Sequence, residues 1–145
     1  MRRVHRQVRV VDGGSVAEAC RYFQQQLEDL LSADRMLEVA VVLEELLMNL
    51  STHAAAHGAV PADVTITSTP EGVHMVLADR APPFDPSRTP APPPDAVPGG
   101  RGLLLVHGMS ASVAYRRTED GRNVTECRFP PSEAALDSDR EGPPA

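Results

Sequence analysis

Glu45, Asn49 and His53 recur four residues apart in the run Val41 to Gly58, VVLEELLMNLSTHAAAHG. On a helix that spacing stacks a carboxylate, an amide and an imidazole in one stripe. Around them, Val41, Val42, Leu43, Leu46, Leu47 and Leu50 leave little room for a solvated face, so the helix is expected to be buried. Polar groups inside a core cost several kcal/mol unless each finds a partner. The stripe is therefore an internally satisfied network, a partly exposed edge, or the wall of a site. Two further stretches favour a site. Asp79 ends an apolar, strand-like run and leads into Ala81-Pro82-Pro83-Phe84-Asp85-Pro86. Gly99-Gly100-Arg101-Gly102 opens a short apolar segment, Leu103 to Met109, that reads as a helix. N–H groups at a helix start favour an anion such as phosphate, and glycines let the backbone approach it closely. The chain has no G-x-x-x-x-G-K-[ST] sequence, so this is not a P-loop site. His53 and His57 also stand four apart, a zinc-compatible spacing, but no H-E-x-x-H and no third ligand accompanies them.

The elements that must position these residues follow from periodicity. Val4, Val8, Val10 and Val11, set among Arg2, Arg3, Arg6 and Arg9, predict a first strand whose charges protect a sheet edge. Asp12-Gly13-Gly14 is a turn signal. Ser15, with Glu18 in the capping-box position, predicts an amphipathic helix over Ser15–Leu31. Ser32 caps the next helix, expected from Ala33 to His57 and stopped by Gly58. Pro61 marks a connection. Asp63–Thr69 and Val73–Ala78 alternate with period two and form a hairpin about Pro70-Glu71-Gly72, with His74 on a strand face. Eight of the chain's 14 prolines fall between Arg80 and Pro98, which excludes a helix or central strand there. A loop of that length inside a small domain is either functional or disordered: a lid over a ligand site is one reading, and a polyproline segment that recruits a partner ranks lower. Val113–Arg117 and Asn123–Phe129 form a last hairpin about Glu119-Asp120-Gly121. The order β-α-α-β-β-loop-α-β-β predicts an α+β fold, a two-layer α/β sandwich with helices on one face of a mostly antiparallel sheet. Residues 1–130 are read as one domain, with a flexible tail over 131–145.

The totals are consistent with this. Hydrophobic residues make up 41% of the 145, aromatics only 3%, so the core must be built of Leu, Val, Met and Ala. A net charge of −6 argues against direct nucleic-acid binding. Cys20 and Cys127 lie far apart with no C-x-x-C and read as small buried side chains in a reducing compartment. The N-terminal MRRVHRQVRVV has no apolar core of signal-peptide type, and no run is long enough to span a membrane, so a soluble cytoplasmic protein is expected.

Three stretches in order carry a resemblance: E-L-L-M-N-L-S-T-H at Glu45 to His53, D-R-A-P-P-F-D-P at Asp79 to Pro86, and G-G-R-G-L at Gly99 to Leu103, continuing to a terminal hairpin ending VTECRF. Together they resemble the GHKL (histidine kinase-like ATPase) superfamily, and more closely its short branch of bacterial anti-sigma factors and serine protein kinases of the RsbW type. The resemblance runs from Val4 to about Phe129 and implies a Bergerat-type ATP-binding fold with ATP and Mg²⁺ as cofactors. Position by position, it makes Glu45 the general base that activates the attacking hydroxyl. Asn49 becomes the Mg²⁺ ligand, and Asp79 the acceptor for the adenine amino group. Gly99, Gly100 and Gly102 hold the phosphates under a lid of residues 80–98. His53 lies near the phosphates or the lid, Arg101 and Arg88 offset phosphate charge, and Asn123 or Thr125 supplies a polar contact near the base. Ala81 stands where the family pattern D-x-G has glycine, which bears on the purine and on whether the turn can take a positive φ.

The implied function is an ATP-dependent serine protein kinase and anti-sigma factor. It would sequester a sigma factor and phosphorylate a STAS-domain anti-sigma antagonist, a partner switch, and would act as a homodimer. The alternative is an anti-sigma or adaptor module on the same fold with little or no kinase activity, which Ala81 favours. A histidine kinase fragment ranks lower, since no helix pair carries a phosphoacceptor histidine.

Overall fold

Alternation along each strand sets the architecture: one side of the sheet is mainly apolar and covered by the helices, with Asp79, Asn123 and Thr125 as buried polar exceptions at one end. A computed structural model describes residues 1–54, 58–88 and 102–131. The order is β1 (Arg2–Val10), α1 (Gly13–Leu27), α2 (Ala33–Ala54), β2 (Val60–Thr69), β3 (Gly72–Asp79), α3 (Gly102–Met109), β4 (Ser112–Arg117) and β5 (Asn123–Phe129). The five strands form one sheet in the order β1-β2-β3-β5-β4, every pair antiparallel. Val4 and Val8 of β1, Val64 and Ile66 of β2, Met75 and Leu77 of β3, and Cys127 and Phe129 of β5 all enter one buried cluster. Phe23 and Leu27 of α1, Val39, Leu43 and Leu47 of α2, and Val106 of α3 complete it from the other layer. This is the α+β sandwich expected from the element order. No described helix is long and apolar enough to cross a membrane.

The arginine-rich β1 is an edge strand. Arg6 lies over the Tyr22 ring at 4.3 Å, so one of its charges is used to fasten α1 to the sheet. His74 holds the expected strand-face position, its Nε2 3.1 Å from Glu126 Oε2. Cys127 is buried and Cys20 half-buried, both free. Loss of solvent pushes both thiols up to about 11, at Cys20 with help from the nearby Glu44 charge.

Three boundaries differ from the sequence reading. Helix α1 begins two residues before Ser15, because Asp12 and not Ser15 is its N-cap. The Asp12 carboxylate accepts from Ser15 N (2.9 Å) and Ser15 Oγ accepts from Asp12 N (3.1 Å), a reciprocal box that Glu18 does not enter. The helix stops at Leu27, four residues short of Leu31, and the chain turns before Ser32. Ser32 does cap α2, its Oγ accepting from Arg35 N at 3.2 Å. Strand β2 begins at Val60, so Pro61 lies inside it, opposite Arg9. Pairing with β3 starts only at Ala62, opposite Asp79, so Pro61 sits where one side of β2 is still unpaired. The predicted end of α2 at His57 falls on residues 55–57, outside those described. Gly58 beyond it takes φ 89°, suiting the predicted left-handed stop.

The β2–β3 turn depends on Gly72, with φ 133° and the space for a Cβ occupied by Phe129 O at 2.2 Å. Gly72→Ala should therefore destabilise the fold by about 1–3 kcal/mol from backbone conformation alone, with the clash added. A urea midpoint lowered at unchanged slope checks this; an unchanged midpoint contradicts it.

Candidate functional site

Helix α2 is not buried all round as its sequence suggests: Leu37, Glu44, Met48 and Thr52 form an exposed face, Leu43, Leu46, Leu47 and Leu50 are buried, and the Asn49–His53 edge between them faces the C-terminal end of β3. There the chain encloses a cavity of about 230 Å³. Helix α2 lines it with Leu46, Asn49, Leu50 and His53, and β3 with Leu77 and Asp79. The segment after Asp79 closes it with Ala81, Pro82, Pro83, Phe84 and Pro86, and β5 adds Asn123 and Thr125. The wall is mostly apolar, with a few convergent polar groups, as in small-molecule sites generally.

Asp79 is 7% exposed. Its Oδ1 accepts from the backbone N of Ala81 (2.9 Å) and from Asn123 Nδ2 (2.9 Å). Asn49 Nδ2 is buried without a hydrogen-bond partner. An amide in a core is normally satisfied, so Asn49 is not part of a closed structural network, and its side chain is free to serve a ligand. The unpaired atom is a donor and suits an acceptor on a ligand, such as a phosphate oxygen; a hard cation that needs one or two protein oxygens would take the amide's other atom, Oδ1.

Glu45 does not line this cavity. Its carboxylate lies beside the first residue of α3: a Cβ built on Gly102 would meet Glu45 Oε2 at 2.3 Å. The third glycine of the run is thus a gap that the carboxylate fills. Gly102→Ala should push the Glu45 carboxylate aside, which its flexible stem permits, and leave thermal stability nearly unchanged. On the reading that makes Glu45 the base, displacing it by about 1 Å costs roughly 10²-fold in rate, so phosphotransfer should fall far more than the melting temperature. Equal activity in this variant would separate Glu45 from the chemistry.

The loop after Asp79 is held at several points. The His53 ring stacks on Phe84 at 4.5 Å and 28°, placing His53 against the start of the proline-rich segment. His107 of α3 reaches Pro86 O with Nε2 at 2.9 Å. Arg80 donates to Asp120 O (2.8 Å) and Asp120 Oδ2 (3.3 Å) in the β4–β5 turn. Asp120's carboxyl lies below its usual range, chiefly because Thr118 donates to it, with Arg122 and Arg80 adding their charge. Ala81 needs no positive φ, since no described residue other than glycine has one. The methyl in place of glycine is thus accommodated without strain, and Ala81 is itself buried in the wall.

The fold gathers Asn49, His53, Asp79 and Ala81 at one cavity, with Glu45 and Gly102 on the adjoining side of α2. Gly99, Gly100, Arg101 and residues 89–98 of the expected lid lie outside those described, as does His57. Arg88 turns to Asp85 (3.7 Å), is largely exposed, and does not line the cavity. Asn123 and Thr125 both line it. Arg117, Tyr115 and His107 were not anticipated. Arg117 donates to Ala81 O (2.8 Å) and Asn123 Oδ1 (3.0 Å), and Tyr115 OH to Asn123 Oδ1 (2.5 Å). The period-two pattern of β4 puts Tyr115 and Arg117 on one face, but only pairing with β5 brings them to the site.

Comparison with known proteins agrees with this arrangement. The family model of the histidine kinase-like ATPase domain matches residues 11–128. The chain is 30% identical over 105 residues to the serine/threonine-protein kinase BtrW of Bordetella bronchiseptica, covering 68% of this chain and 74% of that one. Its fold is similar to a chain in the crystal structure of the SiaB-SiaC complex from Pseudomonas aeruginosa, with TM-score 0.55 and 15% identity, covering 87% of this chain and 88% of that one. With motif order, sheet topology and matched span in agreement, the chain belongs to the histidine kinase-like ATPase (GHKL) family, in the short serine/threonine-kinase branch that includes BtrW.

Proposed function

We propose that the chain is an ATP-dependent serine/threonine protein kinase that works by partner switching. The observation that carries this reading is the juxtaposition of Asn49 and Asp79 at one cavity with Glu45 against Gly102 at the head of α3. Asp79 takes the amino group of the adenine, and Asn49 is the protein ligand of Mg²⁺. That ion, when bound, neutralises charge on the phosphates. The N-terminus of α3 and the glycines before it, with Arg101, hold the phosphate end. Glu45 accepts the proton of the attacking serine hydroxyl. Such chemistry asks the protein mainly for alignment and charge stabilisation, and a buried amide and two carboxylates on rigid elements suit it. His53 and Phe84 brace the proline-rich lid.

Likeness to the RsbW-type branch supports the rest. The phosphoacceptor is a serine on a STAS-domain anti-sigma antagonist, and the alternative partner is a sigma factor, bound when the antagonist is phosphorylated. The proposed working form is a cytoplasmic homodimer, residues 1–130 forming one domain and 131–145 a tail. Incubation with [γ-³²P]ATP, Mg²⁺ and candidate STAS-type antagonists tests the enzyme directly. Labelled phosphoserine is expected. Stable capture of a sigma factor with no label and no ATP binding would instead identify a binding module.

A further inference from the structure

We propose that Asn123 is a positioning residue for base recognition, holding Asp79 in the one orientation that selects a base bearing an exocyclic amine. The inference rests on the nucleotide-site reading above and goes beyond it. In the sheet register Asp79 pairs with Asn123, and Asn123 pairs with Arg117. Directly opposed residues point to the same face with Cβ atoms about 5 Å apart. Three neighbouring strands therefore set an acid, an amide and a guanidinium in a single row.

The hydrogen bonds in this row run one way. Asn123 Oδ1 accepts from Tyr115 OH and Arg117 Nη1. Arginine has no acceptor, so the oxygen of this amide is fixed on the Arg117 side and the NH₂ on the Asp79 side. Nδ2 donates to Asp79 Oδ1 (2.9 Å), Ala81 O (3.0 Å) and Pro82 O (3.2 Å). Both hydrogens and both lone pairs of the amide are thus in use, and Asn123 is 4% exposed. It has nothing left to offer a base. Its effect passes through Asp79, whose Oδ1 is doubly occupied by Asn123 and Ala81 N. Oδ2 remains as the acceptor for a ligand in the cavity that Asp79 lines. The same amide and Arg117 hold the Ala81 carbonyl, fastening the turn that carries alanine where the family pattern has glycine.

A fixed lone acceptor favours a donor amine and disfavours a base without one. The test is the ratio of dissociation constants for purine riboside triphosphate, which lacks the amine, and ATP. Titrations use the full chain with Mg²⁺ in wild type, Asn123→Ala and Arg117→Leu. Wild type should prefer ATP by roughly 10–100-fold, the range for a hydrogen bond to a charged group. Asn123→Ala frees Asp79 to rotate, and the preference should fall about tenfold or more. Arg117 is exposed, so Arg117→Leu is expected to fold, and it should lower the ratio in the same sense. If Asn123→Ala proves insoluble, Arg117→Leu decides. Equal weakening of both nucleotides, or an unchanged ratio, would reduce the row to a structural brace and overturn the proposal. A wild type that binds ATP with no preference over the amine-free analogue overturns it as well. A wild type that binds neither nucleotide overturns the kinase reading and this inference together.

Discussion

Replacing Glu45 with glutamine leaves Mg·ATP bound at close to wild-type affinity and lowers phosphotransfer by about 10²–10⁴-fold. The side chain keeps its size and its place beside Gly102, so the packing of α2 on α3 is preserved. It lies off the cavity that holds Asp79 and Asn49, so nucleotide affinity has no reason to change. What disappears is a basic oxygen able to take a proton from the attacking hydroxyl. Calorimetric titration of Mg·ATP and transfer of ³²P to the acceptor protein measure the two halves separately. Loss of binding with the rate per bound complex intact would move Glu45 from base to nucleotide ligand.

Asp79→Asn is expected to do the reverse. Asparagine retains one oxygen for the Ala81 N–H and Asn123 Nδ2, so the turn after β3 survives. In place of the second oxygen it offers an NH₂, facing the amine of the base donor to donor. ATP affinity should fall roughly 10–100-fold, the worth of a hydrogen bond to a charged group, while the melting temperature moves little. Asp79→Ala adds a structural cost. It leaves the buried Ala81 N–H without an acceptor, at about 1–3 kcal/mol, and removes one of the three acceptors of Asn123 Nδ2, so its melting temperature should drop as well. The contrast between the two variants separates recognition from architecture. Unchanged ATP affinity in both would remove Asp79 from the binding site.

The fold was legible because each element carried its own local signal. The valines of β1, the alternation of residues 63–69 and 73–78 and the apolar run of α2 each declare a period, and chain order then dictates the sandwich. Misplaced ends had local causes. Asp12-Gly13-Gly14 looks like a turn, yet Asp12 caps a helix whose first turn is glycine, because the partner that decides it is the Ser15 hydroxyl. Pro61 looks like a break, yet lies in a strand where β3 has not yet begun to pair.

The site was legible in part for the same reason. Glu45, Asn49 and His53 announce themselves by helical spacing, and Asp79 by its place at a strand end. Asn123 was visible as the first residue of a strand and, through the family resemblance, as one of two candidates for a polar contact near the base. Its partnership with Asp79 comes from β3 pairing with β5 across an intervening loop and helix, a register that no local pattern encodes. Arg117 and Tyr115 reach the site through a second such pairing. The loop contacts of His53 and His107 depend on where Phe84 and Pro86 come to rest after Pro82 and Pro83, which composition does not specify.

The central claim is that three separated stretches meet around one nucleotide. Amide hydrogen exchange of the full chain, with and without Mg²⁺ and a non-hydrolysable ATP analogue, tests it most directly. Slowed exchange is expected together in residues 45–53, in 79–88 and at the head of α3 from Gly102, with the free face of the sheet unaffected. No change, or protection confined to surfaces away from Asn49 and Asp79, would contradict it.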